Sequence, residues 1–361
     1  MIVQKNPFDP QFGQVPKLFL DYDHRARNMV SRLKLAPNGQ AWFITGVRGS
    51  GKTVLLNYVV QLLDKEPQYF VVRTSNDDNL FGDLYHNVLP IASHWHLDSI
   101  SLPGLHFRHD VPATEADYAA ALTDLLSIMK KATNYKLVIL LDEAGKSPYM
   151  RRFADKFRNW NSDQLPVHVI MTGLLKEVSD LAMDNNLTFL LRATRFVMKP
   201  LTAQSIKDVY VEYFHDDKLA RQMTLMTRGY AFAFQLLGYE MWNASQNDLP
   251  KTALEIATKY YKTQLFEKAY RENIKSFRQV TIDYLNQVEP FHGKTSEIAK
   301  ALGLSLQSSN NIRARLIKYG LLVAPRIGEV AFTLPYFGEF IQDPDGFGLD
   351  DMSYAWDDRM A

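Results

Sequence analysis

Cysteine is absent from the chain, which excludes disulfides and thiolate metal ligands. Long apolar runs are absent too. The longest strongly apolar stretch, Leu137-Val138-Ile139-Leu140-Leu141, falls far short of the roughly 20 residues that span a bilayer, so no membrane span is expected. No charged-then-apolar signal segment stands near Met1, and a cytoplasmic location is the expectation. A net charge of only +1 at pH 7 means that affinity for nucleic acid would have to rest on local charge. With 46% hydrophobic residues in 361, the chain can bury the cores of two or three domains.

What is present starts with Gly46-Val47-Arg48-Gly49-Ser50-Gly51-Lys52-Thr53, which matches G-x-x-x-x-G-K-T at every fixed position. The apolar, partly β-branched run Ala41–Thr45 precedes it as a strand should, and the residues from Val54 to Leu63 can continue as a helix. Glycines in such a loop let backbone N–H groups curl around a polyphosphate, and the following helix aims its positive dipole end at that charge. Lys52 is expected to reach the terminal phosphates and Thr53 to ligate Mg²⁺, with Gly46 to Val54 as the ATP-binding segment.

Leu137–Leu141 runs into Asp142-Glu143-Ala144-Gly145, a continuous apolar strand ending in paired carboxylates. A strand buried on both faces of a parallel sheet is apolar throughout, and ligands gather at its C-terminal end. Asp142 is therefore expected at Mg²⁺, directly or through water, and Glu143 as the general base or water-positioning group. A third apolar run, Val167–Met171, leads to Thr172, a candidate nucleotide-state sensor. Arg192 and Arg195 flank a short strand before Pro200; either could serve as an arginine finger in a neighbouring subunit's site, and Arg195 is the better placed.

In this order the elements resemble the AAA+ ATPases, in the branch of archaeal and eukaryotic origin-recognition initiators and their bacterial relatives, with STAND ATPases related. The resemblance covers most of the chain. It implies an α/β P-loop AAA+ parallel sheet with flanking helices, an α-helical lid and a C-terminal winged helix, using ATP and Mg²⁺ and able to form homo-oligomers through the finger. It also implies an N-terminal segment, residues 1–38, beside the nucleotide: Asn6 to Pro16, followed by Asp23-His24-Arg25, looks like the stretch laid beside the adenine, with Val15 and Pro16 as the positions carried over. The expected divisions are an ATPase domain at 39–201, a lid at 202–275, a winged helix at 276–341 and an acidic tail at 342–361. In the lid, Arg228 stands near the family's sensor 2 position but is displaced from it. The dense lid aromatics, including Tyr210, Tyr213, Phe214, Phe232, Phe234 and Trp242, have helical periodicity and read as core rather than as base-stacking platforms.

From Thr281 onward the pattern is helix, helix-turn-helix and hairpin. Thr295 or Ser296 is the expected N-cap of one helix, Gly303 its end, and Gly320 the end of the next. Between Phe291 and Val330, six basic residues (Lys294, Lys300, Arg313, Arg315, Lys318, Arg326) face two acidic ones (Glu297, Glu329). Gln307, Ser309 and Asn310 would meet base edges of duplex DNA, and Arg313, Arg315, Lys318 and Arg326 its phosphates. Winged helices also serve as protein-interaction modules, so a protein partner, or a nucleotide-dependent adaptor without hydrolysis, is the other reading.

Three weaker signals complete the sequence. His86, His94, His96, His106 and His109 cluster in a segment that reads as a loop or insertion rather than a zinc site, because no H-E-x-x-H pair and no cysteine support a metal. Arg151, Arg152, Lys156 and Arg158 read as a solvated helix face. The tail from Gln342 carries six aspartates with Phe347, Tyr354 and Trp356, a pattern suited to docking on a partner or on a basic surface of the protein itself.

Overall fold

The computed structural model describes residues 5–11, 13, 15–20, 24–93, 114–132, 134–182, 193–245, 250–275, 277–290 and 292–344. Helix α1 (Arg25–Leu35) precedes β1 (Ala41–Gly46), α2 (Lys52–Leu63), β2 (Tyr69–Thr74), α3 (Leu80–Ser93) and α4 (Glu115–Ala132). Then come β3 (Lys136–Leu141), α5 (Pro148–Ser162), β4 (Val167–Leu174), α6 (Leu175–Ala182) and β5 (Thr194–Val197). The five strands form one parallel sheet in the order β2-β3-β4-β1-β5.

Burial explains the composition of these strands. β1, β3 and β4 lie inside the sheet and are buried almost without interruption, whereas the edge strand β5 alternates between half-buried and exposed residues. Phe43, Ile139, Leu141, Val169 and Met171 pack with α3, α4 and α5 in one core. Trp42, Ile44, Val138, Leu140 and Ile170 pack with α1 and α2 in another on the opposite face. Helices on both faces oblige the central strands to be apolar on both.

A third core begins beyond β5. Helices α7 (Ala203–Phe214), α8 (Asp217–Thr227), α9 (Ala231–Ser245) and α10 (Pro250–Leu265) form the helical segment expected as a lid; a π-helical turn, Phe266–Tyr270, leads into α11 (Arg271–Ile274). The C-terminal module contains α12 (Gln279–Asn286), α13 (Thr295–Ala301), α14 (Leu306–Lys318), an antiparallel pair β6 (Leu322–Val323) and β7 (Ala331–Phe332), and α15 (Phe337–Gln342). One cluster of buried residues runs continuously from Ile206 in the lid to Ile341 in this module. Tyr210, Phe232 and Phe234 are buried within it, and Tyr213, Phe214 and Trp242 pack against it, in accord with the core reading.

The ends of the helix-turn-helix differ partly from expectation. Lys294, not Thr295 or Ser296, is the N-cap of α13, and no side chain caps it; the Thr295 hydroxyl and amide both donate to the Gly328 carbonyl instead. Gly303 and Gly320 do adopt the left-handed conformation after their helices, with φ of +61° and +75°. No helix among the described residues is long and apolar enough to cross a membrane. Arg192, His94, His96, His106, His109 and the tail beyond residue 344 lie outside the described residues.

Candidate nucleotide-binding site

The P-loop joins β1 to α2 along the open end of the sheet, and Gly49 and Gly51 hold φ of +73° and +86° there, which side chains rarely tolerate. The tightness at Gly49 has a second cause, since a Cβ there would run into the Tyr230 hydroxyl. Lys52 Nζ donates to the carbonyls of Val47 (3.0 Å) and Gly46 (3.4 Å). Burial pushes its pKa down to about 8, with the Asp142, Glu177 and Glu143 carboxylates, in that order, partly restoring it. A cation held among backbone carbonyls in a partly desolvated loop is poised to exchange them for a stronger anionic acceptor.

β4 lies between β3 and β1, so the ends of three strands meet beside the loop. Thr53 Oγ1 donates to Asp142 Oδ2 at 3.2 Å, and the Thr172 hydroxyl donates to Asp142 Oδ1 from the other side. The Glu143 amide donates to Thr172 Oγ1 and to Asp142 Oδ1, both at 3.1 Å. Glu143 itself is exposed and takes a left-handed φ of +53°, an uncommon conformation for a residue other than glycine, which turns its side chain away from the strand direction. Asp142 is thereby fixed by two threonines, while Glu143 stays open to solvent in the cleft wall.

This geometry suits a magnesium ion. Thr53 and Asp142 present hard oxygen donors side by side at the start of α2, and Ser50 Oγ is buried there without a hydrogen-bond partner among the described residues. Mg²⁺ favours such oxygen donors, keeps several waters, and completes its shell with phosphate oxygens.

The cleft encloses about 680 Å³. One wall is Arg48 to Leu55; another is the N-terminal strap, including Pro10, Gln11, Pro16, Leu18, Phe19 and Leu20. A third comes from the lid, where the Tyr230 hydroxyl donates to the Arg48 carbonyl and the Phe232 amide to the Gly49 carbonyl at 3.1 Å.

Several expected residues fall elsewhere. Pro16 and Val54 line the cleft, while Val15, Gly46 and Val47 do not, the last two taking part through their carbonyls. Arg228 is the left-handed C-cap of α8; its Nη1 donates to the Phe332 carbonyl at 3.4 Å, so it serves the hairpin of the C-terminal module and not the cleft. Arg195 is exposed on the edge strand β5, outside its own cleft.

In α14, Ser309 is buried, only 2% exposed, beside the Tyr284 hydroxyl, which removes it from any base-reading surface. Arg315 donates to Thr281 Oγ1 at 2.8 Å and Arg313 lies half-buried near Tyr284, so both turn toward α12. Gln307, Asn310 and Lys318 remain exposed on α14, and Arg326 is exposed in the hairpin beside Ile327.

Two contributions have no counterpart in the sequence reading. Glu177 lines the cleft, and its Oε2 accepts from the Leu174 amide at 3.0 Å. A glutamate three residues into a helix reaching back to the N-cap amide is half of a capping box, a signal visible in Gly173-Leu174-Leu175-Lys176-Glu177. The other is the contact between the C-terminal module and the P-loop: a Cβ at Gly320 would lie 2.9 Å from both Val47 Cγ1 and Leu175 Cδ1.

Comparison with known proteins follows this geometry. Residues 267–341 match a family described as Domain of unknown function (DUF8462). No curated protein matches the chain. The Walker-type ATPase paby2304 of Pyrococcus abyssi is similar in structure, with 16% identity, 90% of this chain and 96% of that chain covered, and a TM-score of 0.60. The ORC2 protein of Aeropyrum pernix, solved in ADPNP and ADP complexes, gives 12% identity, coverage of 92% and 93%, and a TM-score of 0.58. Identities this low speak to architecture alone: the chain shares its overall fold with these two proteins over nine-tenths of its length.

Proposed function

We propose that the protein binds and slowly hydrolyses ATP, and that its nucleotide state controls DNA binding by the C-terminal module, which we read as a winged helix. The observation that carries the ATP reading is the Thr53–Asp142–Thr172 hydrogen-bonded chain beside Lys52. Lys52 would donate to the terminal phosphates, and Glu143 would orient water and take its proton as it attacks in line. Bound Mg²⁺, held by Thr53 and Asp142, would supply charge neutralisation for the transferring phosphoryl group. Arg195, exposed on β5, would complete a neighbouring subunit's site.

DNA binding would fall to the exposed part of α14 and to the hairpin. Gln307 and Asn310 are amides of the kind that read base edges, and Lys318 and Arg326 would neutralise phosphates. ATP turnover measured with and without duplex DNA, together with duplex affinity across a salt series, tests both halves. Turnover that survives Lys52→Ala would refute the site, and absence of duplex binding at low salt would refute the DNA half.

A second reading has its own support. The module is seated on Val47 and Leu175 through Gly320, Lys176 Nζ lies 6.0 Å from the Tyr319 ring centroid, and Arg228 reaches Phe332. An internally docked module of this kind suits a signalling switch whose partner is a protein. Nucleotide-dependent binding of a protein with no duplex affinity in either nucleotide state would select it.

A further inference from the structure

One buried side chain of the lid holds the N-terminal strap at two points. Gln235 on α9 is 8% exposed; its Oε1 accepts from the Asp9 amide at 3.0 Å, and its Nε2 donates to the Leu18 carbonyl at 2.9 Å. A carboxamide carries its donor and its acceptor on two separate atoms of one planar tip, so it can clamp two stretches of a loop at once.

The rest of the strap is anchored before the first clamped residue and between the two. Asn6 Nδ2 donates to the Tyr239 carbonyl and to Asn243 Oδ1, both on α9. Phe8 is buried in the lid core, stacked on Phe214 at 5.8 Å between centroids, in a space that exists because residue 238 is glycine. Between the two clamped points the Gly13 carbonyl accepts from Asn57 Nδ2 of α2. The strap is thus held on the lid at residues 9 and 18 and reaches the ATPase core at the loop between them.

A polyphosphate on the P-loop occupies the polar end of the cleft, at the start of α2. The remaining wall is largely apolar, with Pro10, Pro16, Leu18, Phe19 and Pro200, and is the part left for the base. We propose that Gln235 is a positioning residue for the base: by fixing residues 9 and 18 it sets this wall, and it acts on the base end of the nucleotide without touching the phosphates. The inference rests on the ATP reading of the cleft.

The test compares ATP with inorganic tripolyphosphate, each with Mg²⁺, by calorimetry on wild type, Gln235→Leu and Gln235→Glu. Gln235→Leu is expected to weaken ATP binding about tenfold while tripolyphosphate affinity stays within about twofold. Gln235→Glu should fall between, because its carboxylate keeps the acceptor for Asp9 and loses the donor to Leu18. Equal losses for both ligands, or no loss for either, would overturn the proposal. If Gln235→Leu does not fold, Asn6→Ala loosens the same strap while leaving α9 intact and is expected to show the same selectivity for ATP over tripolyphosphate. A wild-type protein that binds neither ligand refutes the ATP reading first and this inference with it.

Discussion

The P-loop cleft and helix α14 place their polar side chains by different means. In the cleft, Lys52, Thr53, Asp142, Glu143 and Thr172 come together at the ends of three adjacent strands. In α14, Ser309 is buried and Arg315 is tied to Thr281, leaving Gln307, Asn310 and Lys318 outward. The glycine loop imposes its own backbone path, and a parallel strand must release its next residues at the same end of the sheet, so local pattern determines position. A helix has no such constraint: which face turns outward depends on what packs beneath it, here Thr281 and Tyr284 of α12.

That contrast can be broken or sharpened by substitution. The largest effect is expected for Lys52→Ala, which should reduce ATP binding and turnover by about a hundredfold or more, whereas Glu143→Gln should abolish turnover with nucleotide affinity retained. Equal loss of affinity in both variants would show that Glu143 does not have a separate role. Next is pH. Burial lowers the Lys52 pKa to about 8, so its charge is present below that value and lost above it. Nucleotide affinity should therefore weaken as pH rises from 7 to 9, by up to about tenfold, in wild type but not in Lys52→Met.

Smaller effects belong to the C-terminal module. Arg315→Ala should cost about 1 kcal/mol of stability in chemical denaturation, through the lost bond to Thr281, and leave duplex affinity nearly unchanged. Lys318→Ala should leave stability alone and lower the slope of log affinity against log salt by about one. A salt effect at Arg315 as large as that at Lys318 would overturn this division and put both side chains at the phosphates.

Strands β1, β3, β4 and β5, the P-loop and the carboxylate pair were legible because each carries its signal within a dozen residues. The hydrophobic lid was legible for a similar reason, since aromatics at helical spacing need a core. What stayed hidden was contact across distance. Nothing near Asn6 or Phe8 announces α9, more than 200 positions away, and Arg228 offers no local sign that it faces Phe332. Glu177 is the exception, because its capping pattern was visible and only its proximity to Lys52 was not.

The seat of Gly320 on Val47 has a mechanical consequence. Helix α14 spans 13 residues, about 20 Å, and this seat lies just beyond one of its ends, against the phosphate loop. A tilt of about 3° about that pivot would carry the far end, at Gln307, through about 1 Å. Glycine makes the pivot close-fitting: its φ is +75°, and a Cβ there would have to displace the Val47 and Leu175 methyls. Any displacement of Val47 carried through this seat would be enlarged at the far end of α14.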